Sequence, residues 1–327
     1  MRSMRRYFLI RCIYLFITII LILSFNFFLF KVMPGDPVRL MFPKGAPPDV
    51  IEFWRHILGL DKPLWEQYLA AIIGPFTGDF GVSIRFAPRT PIGSILVPYI
   101  EKTVFLCGVG TVIAIYFGII IGRKSAWKKG KPYDRWVTSI SVVIYSIPTF
   151  LYALFFIVIF SLIMPGWPFQ GATSPIIEFN SLDLIGQITD IAQHALLPIL
   201  SLVIESLAGF SLIMRSSLID VLTDDYILTA EAKGLDEEGI LKKHAMPNAY
   251  LPILAEIAMN VGWILGGTIM IEYIFTYKGL GYLSWEAVLS YDFPLLQATF
   301  ILEVVAVLVA NFIADILNFY LDPRVKI

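Results

Sequence analysis

The chain carries six long blocks of apolar residues, and these blocks restrict its fold more than any other feature. They are residues 7–30, 103–122, 136–164, 195–214, 250–274 and 295–320. Each supplies the roughly 20 mostly apolar residues that a helix needs to cross a bilayer, and a helix satisfies its own backbone hydrogen bonds there. Only 16% of the 327 residues are charged, against about 25% in soluble domains. The sequence therefore predicts an all-α polytopic membrane protein with six transmembrane helices.

The first block follows Arg2, Arg5 and Arg6, an arrangement that is similar to a secretory signal. The block is too long for the apolar region of a signal peptide, and no small-residue cleavage site follows it. We therefore expect residues 1–31 to be a retained N-terminal transmembrane helix. Cys12 and Cys107 both fall in predicted membrane helices, so neither a disulfide framework nor a metal cluster is indicated.

Basic residues predict the orientation of the chain, because Lys and Arg accumulate in short cytosolic loops. Placing the N-terminus inside puts most of the 25 lysines and arginines in cytosolic segments. The loop between the third and fourth blocks has no Lys or Arg and carries Glu178, Asp183 and Asp190. We expect both termini to be cytosolic, with 322–327 as a cytosolic tail and a core of five further helices over 103–321.

Residues 32–102 form a long segment on the opposite side, and we expect an extracytoplasmic loop domain there. The segment contains basic residues, but long loops translocate largely regardless of charge. Two short amphipathic stretches within 50–73 are separated by the turn-forming sequence GLDKP. The residues alone leave two readings open: a structural cap, or a docking surface for an external solute-binding protein.

The segment 215–248 interrupts the apolar pattern with the charged run TAEAKGLDEEGILKKHAMP. A helix that starts at Asp224 is expected to end at Gly234, because glycine suits the left-handed position after a helix. Asp236 is a good N-cap for a second helix, and Pro247 is expected to bend or end it. Helix connections in bundles need only about 2–8 residues, so this longer segment is either a docking surface or a structural loop.

The spacing of Gly234 and Pro247 resembles the EAA loop of ABC-importer permeases, whose pattern is E-A-A-x3-G-x9-I-x-L-P. Leu228, Thr229 and Ala230 occupy its first three positions, so the leading acid is absent. The run DYILTAEAKGL…KKHAMPNAYLP is similar to the variant found in the dipeptide, oligopeptide and nickel permease subfamily. Further motifs, in the order expected for its subunit type with a large outer loop, extend the resemblance over the whole chain: PGDPV, GLDKPLWEQY, GDFGVSI, SIPTF, HALLPILSL, MRSSLIDVL, GGTIMIEYIFTYKGLGYLSWEAVLSYDFPLLQATF and DPR.

This resemblance implies a type I (MetI-like) importer permease core in a prokaryotic cell membrane. It implies that the glycine turn belongs to a coupling helix that docks on a cytosolic ATPase. The coupling residues would be Leu228, Thr229, Ala230, Glu231, Ala232, Gly234, Leu235 and Pro247. The implied partners are a second, homologous permease subunit (a heterodimer), two ABC ATPases, an external solute-binding protein and a peptide substrate.

The chain itself is expected to bind no cofactor and to carry no catalytic residue. It lacks G-x4-G-K-[ST], the sequence of a phosphate-binding P-loop, so ATP and Mg are expected on the ATPase subunits. His56, His194 and His244 are scattered along the chain and indicate no metal site or paired catalytic group. A secondary transporter driven by an ion gradient is the alternative of another class, and import of oligosaccharides or nickel chelates is the alternative within the family.

Ionisable side chains at membrane depth are the candidates for the substrate path, because their burial in a bilayer is costly without a function. Glu205, Glu256 and Glu303 fall in apolar blocks, and Asn260 lies one turn after Glu256 on the same helical face. Asp315 also qualifies by position. The competing interpretation is that Glu256 and Asp315 lie near cytosolic ends, where they are paired or hydrated.

Overall fold

The computed structural model describes residues 2–32, 37–40, 45–263 and 268–321. Over these ranges the chain is helical, and its only β-type pairing is one isolated bridge between Val82 and Pro91. The predicted all-α fold is therefore confirmed. The predicted tail 322–327, with its terminal DPR, lies outside the described residues.

Fifteen α-helices and one π-helical turn follow one another along the described chain. The helices are α1 Arg2–Val32, α2 Pro37–Leu40, α3 Pro48–Ile57, α4 Leu64–Thr77, α5 Ile92–Trp127, α6 Pro132–Tyr145, α7 Thr149–Ile163, α8 Ile176–Ser181, α9 Leu184–Leu222, α10 Asp225–Ala232, α11 Glu237–Gly239, α12 Met246–Trp263, α13 Ile269–Ile274, α14 Leu280–Leu289 and α15 Phe293–Leu321. The π turn, Ile240–Ala245, joins α11 to α12.

Four of these helices are long and apolar enough to cross a membrane: α1, α5, α9 and α15. The block 136–164 instead forms two helices, α6 and α7, which are bent by 95° relative to each other. The bend falls at Pro148, because proline has no N–H to donate and disfavours helical backbone at the preceding Ile147. The pair brings the number of candidate spans in the described residues to at most 5.

The predicted fifth span, 250–274, is not one continuous helix in the described residues. Its first part belongs to α12, and its last part forms α13, which has only 6 residues. Residues 264–267, between them, are not described. The predicted count of six uninterrupted spans is therefore not reproduced, because two of the six blocks are broken.

Helices α5 and α9 pack along each other and form the centre of the fold. Gly122 of α5 permits this close approach, because a Cβ there would collide with the backbone oxygen of Ser211 in α9. Towards the C-terminal end of α9, Phe210, Met214 and Leu218 form a buried cluster to which α10 and α12 also contribute. This cluster positions the segment that follows α9.

Candidate functional site

A cavity of 630 Å³ lies between α5, α9, α12 and the bend that joins α6 to α7. Glu205 of α9 and the pair Glu256 and Asn260 of α12 all line it. Three of the five candidates for the substrate path therefore share one cavity. Among the described residues that line it there is no Lys, Arg or His, so the fixed charges of the cavity are carboxylates.

The proline bend holds Glu205 in position through Thr149, the first residue of α7. The Thr149 hydroxyl donates a hydrogen bond of 2.5 Å to Oε2 of Glu205. Pro148 cannot donate to the carbonyl of Ile144, four residues earlier. That oxygen accepts instead from the Ile147 N–H at 3.1 Å and from the Tyr152 hydroxyl at 2.7 Å. The backbone hydrogen bond lost at the bend is thus replaced locally. The bend also directs the Thr149 hydroxyl at the carboxylate of Glu205.

Glu256 and Asn260 are joined along one face of α12, as their spacing predicts. Nδ2 of Asn260 donates to Oε1 of Glu256 at 2.9 Å and to the Glu256 backbone oxygen at 3.0 Å. Both carboxylates of the cavity are therefore oriented by a neutral donor and keep other lone pairs, because a carboxylate has about four acceptor positions.

Glu303 and Asp315 lie elsewhere in the structure. Glu303 of α15 is buried and accepts a hydrogen bond of 2.7 Å from the Ser284 hydroxyl of α14. Glu303 does not line the cavity. Its burial is explained by the contact between α14 and α15. Asp315 pairs with Arg11 at 2.8 Å between α15 and α1, which agrees with the interpretation of a paired group.

The glycine-turn segment (residues 224–247) has the local conformation predicted from its sequence over its first half. Gly234 follows α10 with φ of +76°, which is the left-handed conformation. Asp236 caps α11, and its Oδ1 accepts from the Gly239 N–H at 3.2 Å. Pro247 does not end the second helix, which continues through the π turn into α12. The π turn, Ile240–Ala245, ends just before the proline, which has no N–H to continue the α-helical hydrogen bonds.

Two side chains anchor α10 to the rest of the chain, and the others point outward. Ile227 and Ala230 are buried against the cluster that contains Phe210 and Met214. Ala230 therefore contacts this chain's own core. The remaining predicted coupling residues are exposed: Leu228, Thr229, Glu231, Ala232, Gly234, Leu235 and Pro247. The exposed fraction of Leu228 is 60%, which is high for a leucine and leaves an apolar surface without contact in this chain.

Asp134 forms a buried ion pair that the sequence did not reveal. It accepts hydrogen bonds from Nε and Nη2 of Arg215 at 2.5 and 2.9 Å. The Ser125 hydroxyl donates to it at 2.7 Å, and the Gly130 N–H donates at 2.8 Å. The turn between α5 and α6 is thereby fixed to α9, close to the glycine-turn segment. Asp134 and Arg215 are separated by 81 positions, and no local pattern links them.

Asp292 fixes part of the segment 32–102 to the start of α15. One carboxylate oxygen of Asp292 accepts from the Ser83 hydroxyl at 2.6 Å. The same oxygen accepts from the backbone N–H groups of residues 84–86 at 2.9, 3.0 and 3.1 Å. Asp292 is fully buried, so its charge is satisfied almost entirely by this segment.

Glu272 of α13 is a second fully buried carboxylate that sequence reasoning missed. Oε1 accepts from the hydroxyls of Thr103 and Thr268 at 2.7 and 3.0 Å, and Oε2 accepts from the Tyr282 N–H at 3.0 Å. Thr268 also lines the cavity. Glu272 therefore fixes Thr268, a residue of the cavity wall, through a hydrogen bond from the side facing away from the cavity.

Comparison with known proteins gives consistent matches over nearly the whole chain. Residues 114–327 match the family described as "Binding-protein-dependent transport system inner membrane component", and residues 4–93 match the corresponding N-terminal family. The oligopeptide transport system permease protein AppB of Bacillus subtilis is 34% identical over 302 residues, which cover 92% of this chain and 93% of that protein. The dipeptide transport system permease protein DppB of Escherichia coli K12 is 32% identical over 322 residues, with 94% of each chain covered.

Two further comparisons agree with these matches. The glutathione transport system permease protein GsiC of Escherichia coli K12 is 33% identical over 307 residues, which cover 93% of this chain and 94% of that protein. A structure of the MetNI methionine ABC transporter in an inward-facing conformation matches with a TM-score of 0.56 and 16% identity, covering 70% of this chain and 97% of that chain; at this identity the match shows a shared fold. The chain therefore belongs to the inner membrane components of binding-protein-dependent transport systems, and it is a non-catalytic permease subunit of an ABC importer.

Proposed function

We propose that the chain is the permease subunit of a peptide importer and that the 630 Å³ cavity is part of the peptide's path. The observation that carries this proposal is the convergence of Glu205, Glu256 and Asn260, from two different helices, on one cavity. The names of the similar proteins support the substrate class, since they refer to oligopeptides, dipeptides and glutathione.

The charge of the cavity suits one end of a peptide. Two carboxylates at membrane depth are costly unless they face water or a cation, and the described lining residues offer no basic partner. The α-ammonium group of a peptide supplies that partner during passage. Thr149 and Asn260 keep the carboxylates of Glu205 and Glu256 oriented without neutralising them, so each can accept from the cargo.

We further propose that the glycine-turn segment docks on a cytosolic ATPase subunit. Its exposed apolar residues Leu228, Ala232 and Leu235 would enter a groove of that partner, while Ile227 and Ala230 hold the helix to the permease. ATP and Mg would be bound by two such ATPases. Their closure would move α10 as a rigid unit and switch the access of the path, the kind of rigid-body change used in alternating access.

The proposed assembly contains a second, homologous permease subunit and an external solute-binding protein. The second subunit would complete the path beside the cavity, and the binding protein would deliver peptide to the outer side of the membrane. Asp292 supports this arrangement, because it makes the segment 83–86 rigid at the outer end of α15. A rigid outer surface suits delivery by a separate protein.

Uptake of labelled dipeptide into vesicles containing the reconstituted complex tests the role of the cavity. Glu205→Gln and Glu256→Gln should each raise the KM for a dipeptide with a free amino terminus by about 10- to 100-fold, since hydrogen bonds to charged groups contribute about 1.5–3 kcal/mol. Glu303→Gln is the matched control. The Gln amide oxygen can still accept from Ser284, so uptake should be unchanged.

An amino-acetylated dipeptide distinguishes charge recognition from general damage. Because it has no ammonium group, its poorer uptake should change little in Glu205→Gln or Glu256→Gln. Normal uptake of the free dipeptide by the double variant would refute the proposed path. Equal losses in Glu303→Gln would refute it as well, since the effect would then be independent of the cavity.

A further inference from the structure

We propose that α4, Leu64–Thr77, is embedded in the outer leaflet of the bilayer and presents a stripe of apolar side chains to lipid acyl chains. The sequence places α4 within the long segment 32–102, which predicts a water-exposed location. The packing of α4 and the character of its surface indicate a membrane location instead.

Helix α4 runs alongside the C-terminal half of α1, in the opposite direction. The ammonium group of Lys31, at the end of α1, donates to Oε1 of Gln67 at 2.9 Å. About two turns further down α1, the Ser24 and Tyr68 hydroxyls are hydrogen-bonded at 2.8 Å. Later residues of α4 therefore meet earlier residues of α1, which is a transmembrane helix by length and composition.

The far end of α4 reaches deep along α1. The rings of Phe76 and Phe16 lie 6.4 Å apart between centroids, and Phe16 is close to the middle of α1. From Gln67 to Phe76 a helix rises about 14 Å, which is nearly half of the roughly 30 Å hydrocarbon core. Lys31 marks the upper level, since lysines near the ends of membrane helices extend to the head groups.

The exposed face of α4 has the character of a lipid-facing surface. Its exposed large side chains on one face are Trp65 (63% exposed), Leu69 (44%), Ile73 (54%) and Phe76 (55%). The last three follow Trp65 by 4, 8 and 11 positions, a spacing that places all four side chains on the same face of a helix. No charged residue occurs between Gln67 and Gly78. An apolar stripe of this length in water would favour aggregation.

The stripe lies beside an apolar surface that already faces lipid. On the adjoining part of α1, Leu21 is 62% exposed and Phe25 is 69% exposed, and only 6% of the α1 span is buried. Because α4 packs against this helix over several turns, both apolar surfaces meet the same surroundings. Lipid acyl chains can cover the exposed apolar faces of both α1 and α4.

A cleft of 930 Å³ separates α4 from the first turns of α15. Leu69 and Ile73 line one side, and Ala298 and Ile301 line the other. The charged residues that line it are Lys31, Lys62, Glu66 and Asp79. The first three lie at the outer ends of α1 and α4, where the proposal places the lipid head groups. Asp79 follows the other end of α4, is exposed, and its carboxylate accepts from the Gly81 N–H at 2.9 Å. Acyl chains can therefore enter between α4 and α15 beneath a polar rim.

Spin labels read by electron paramagnetic resonance test this location in the whole transport complex in lipid nanodiscs. Single cysteines would replace Leu69, Ile73 and Phe76 in a background that carries Cys12→Ser and Cys107→Ala and retains transport. Collisions with dissolved oxygen report lipid, and collisions with a water-soluble nickel chelate report water. Phe25→Cys on α1 is the lipid control, and Asp61→Cys in the exposed turn before α4 is the water control.

The expected result is an oxygen-to-nickel collision ratio on α4 that lies above the Asp61→Cys value at all three positions, rises from position 69 to position 76 and reaches the Phe25→Cys value. A ratio equal to that of Asp61→Cys would overturn the proposal, since α4 would then lie in water. Low collision rates with both reagents would overturn it too, because the stripe would then be covered by a partner subunit. Neither outcome bears on the proposed peptide path, which the uptake assay tests separately.

Discussion

Replacement of Gly234 by valine should weaken the proposed docking of the glycine-turn segment without disturbing the membrane core. Gly234 has φ of +76°, a conformation that costs an L-residue about 1–2 kcal/mol. A Cβ at this position would meet no atom within 4 Å, so the cost is conformational and includes no clash. A change of that size lowers the population of the native turn by a factor of about 5–30 relative to alternatives.

Two matched substitutions separate the turn from general strain. Gly166, in the turn after α7, has φ of +92° and also has no neighbour within 4 Å of a Cβ. Gly166→Val therefore carries a similar backbone cost at a turn outside the proposed docking surface. Gly234→Asn should be the mild variant, because asparagine adopts the left-handed conformation more readily than other side chains.

Recovery of the ATPase subunits with purified permease measures docking, and peptide-stimulated ATP hydrolysis in reconstituted vesicles measures coupling. Gly234→Val should lower both, while Gly166→Val and Gly234→Asn should stay close to the unmodified complex. Normal recovery and normal stimulation in Gly234→Val would refute the docking proposal. Equal losses in Gly166→Val would show that strain alone causes the effect.

Three further predictions concern the buried carboxylates and the orientation. Asp134→Ala leaves the partly exposed Arg215 without its counter-ion and should destabilise the complex by about 1–3 kcal/mol, seen as a lower Tm; an unchanged Tm would contradict this. Asp292→Ala removes the acceptor of four donors and should make residues 83–86 sensitive to added protease, whereas equal protection in both proteins would show that other contacts suffice. A cysteine that replaces Lys129 should be protected from an impermeant thiol reagent in intact cells, and its labelling would reverse the predicted orientation.

The sequence predicted the parts of the fold that depend on local pattern. Four apolar blocks became the helices α1, α5, α9 and α15, because length and hydropathy act within a single segment. The left-handed Gly234 followed from the chemistry of glycine after a helix. The bend at Pro148 was not predicted, because an apolar block containing a proline can bend or stay continuous, and only the packing around Thr149 and Tyr152 decides.

The sequence could not show which polar groups meet across helices. Glu205, Glu256 and Glu303 looked alike as acids within apolar blocks, yet the first two line a cavity and the third serves as an acceptor for Ser284. Asp292 gave no signal, since its donors lie more than two hundred positions earlier. Partner choice over such separations depends on how the helices pack, which no local pattern records.

The contact between Thr149 and Glu205 connects cargo to the shape of the α6–α7 pair by thermodynamic linkage. The Thr149 hydroxyl and a cationic cargo group both draw on the same carboxylate. Cargo that binds Glu205 changes the hydrogen bond that holds the start of α7, and a change in the 95° bend that moves Thr149 changes how the carboxylate is oriented for cargo. Because coupling free energies are reciprocal, the affinity for cargo measured in Thr149→Ala reports how strongly cargo binding and the bend at Pro148 are coupled.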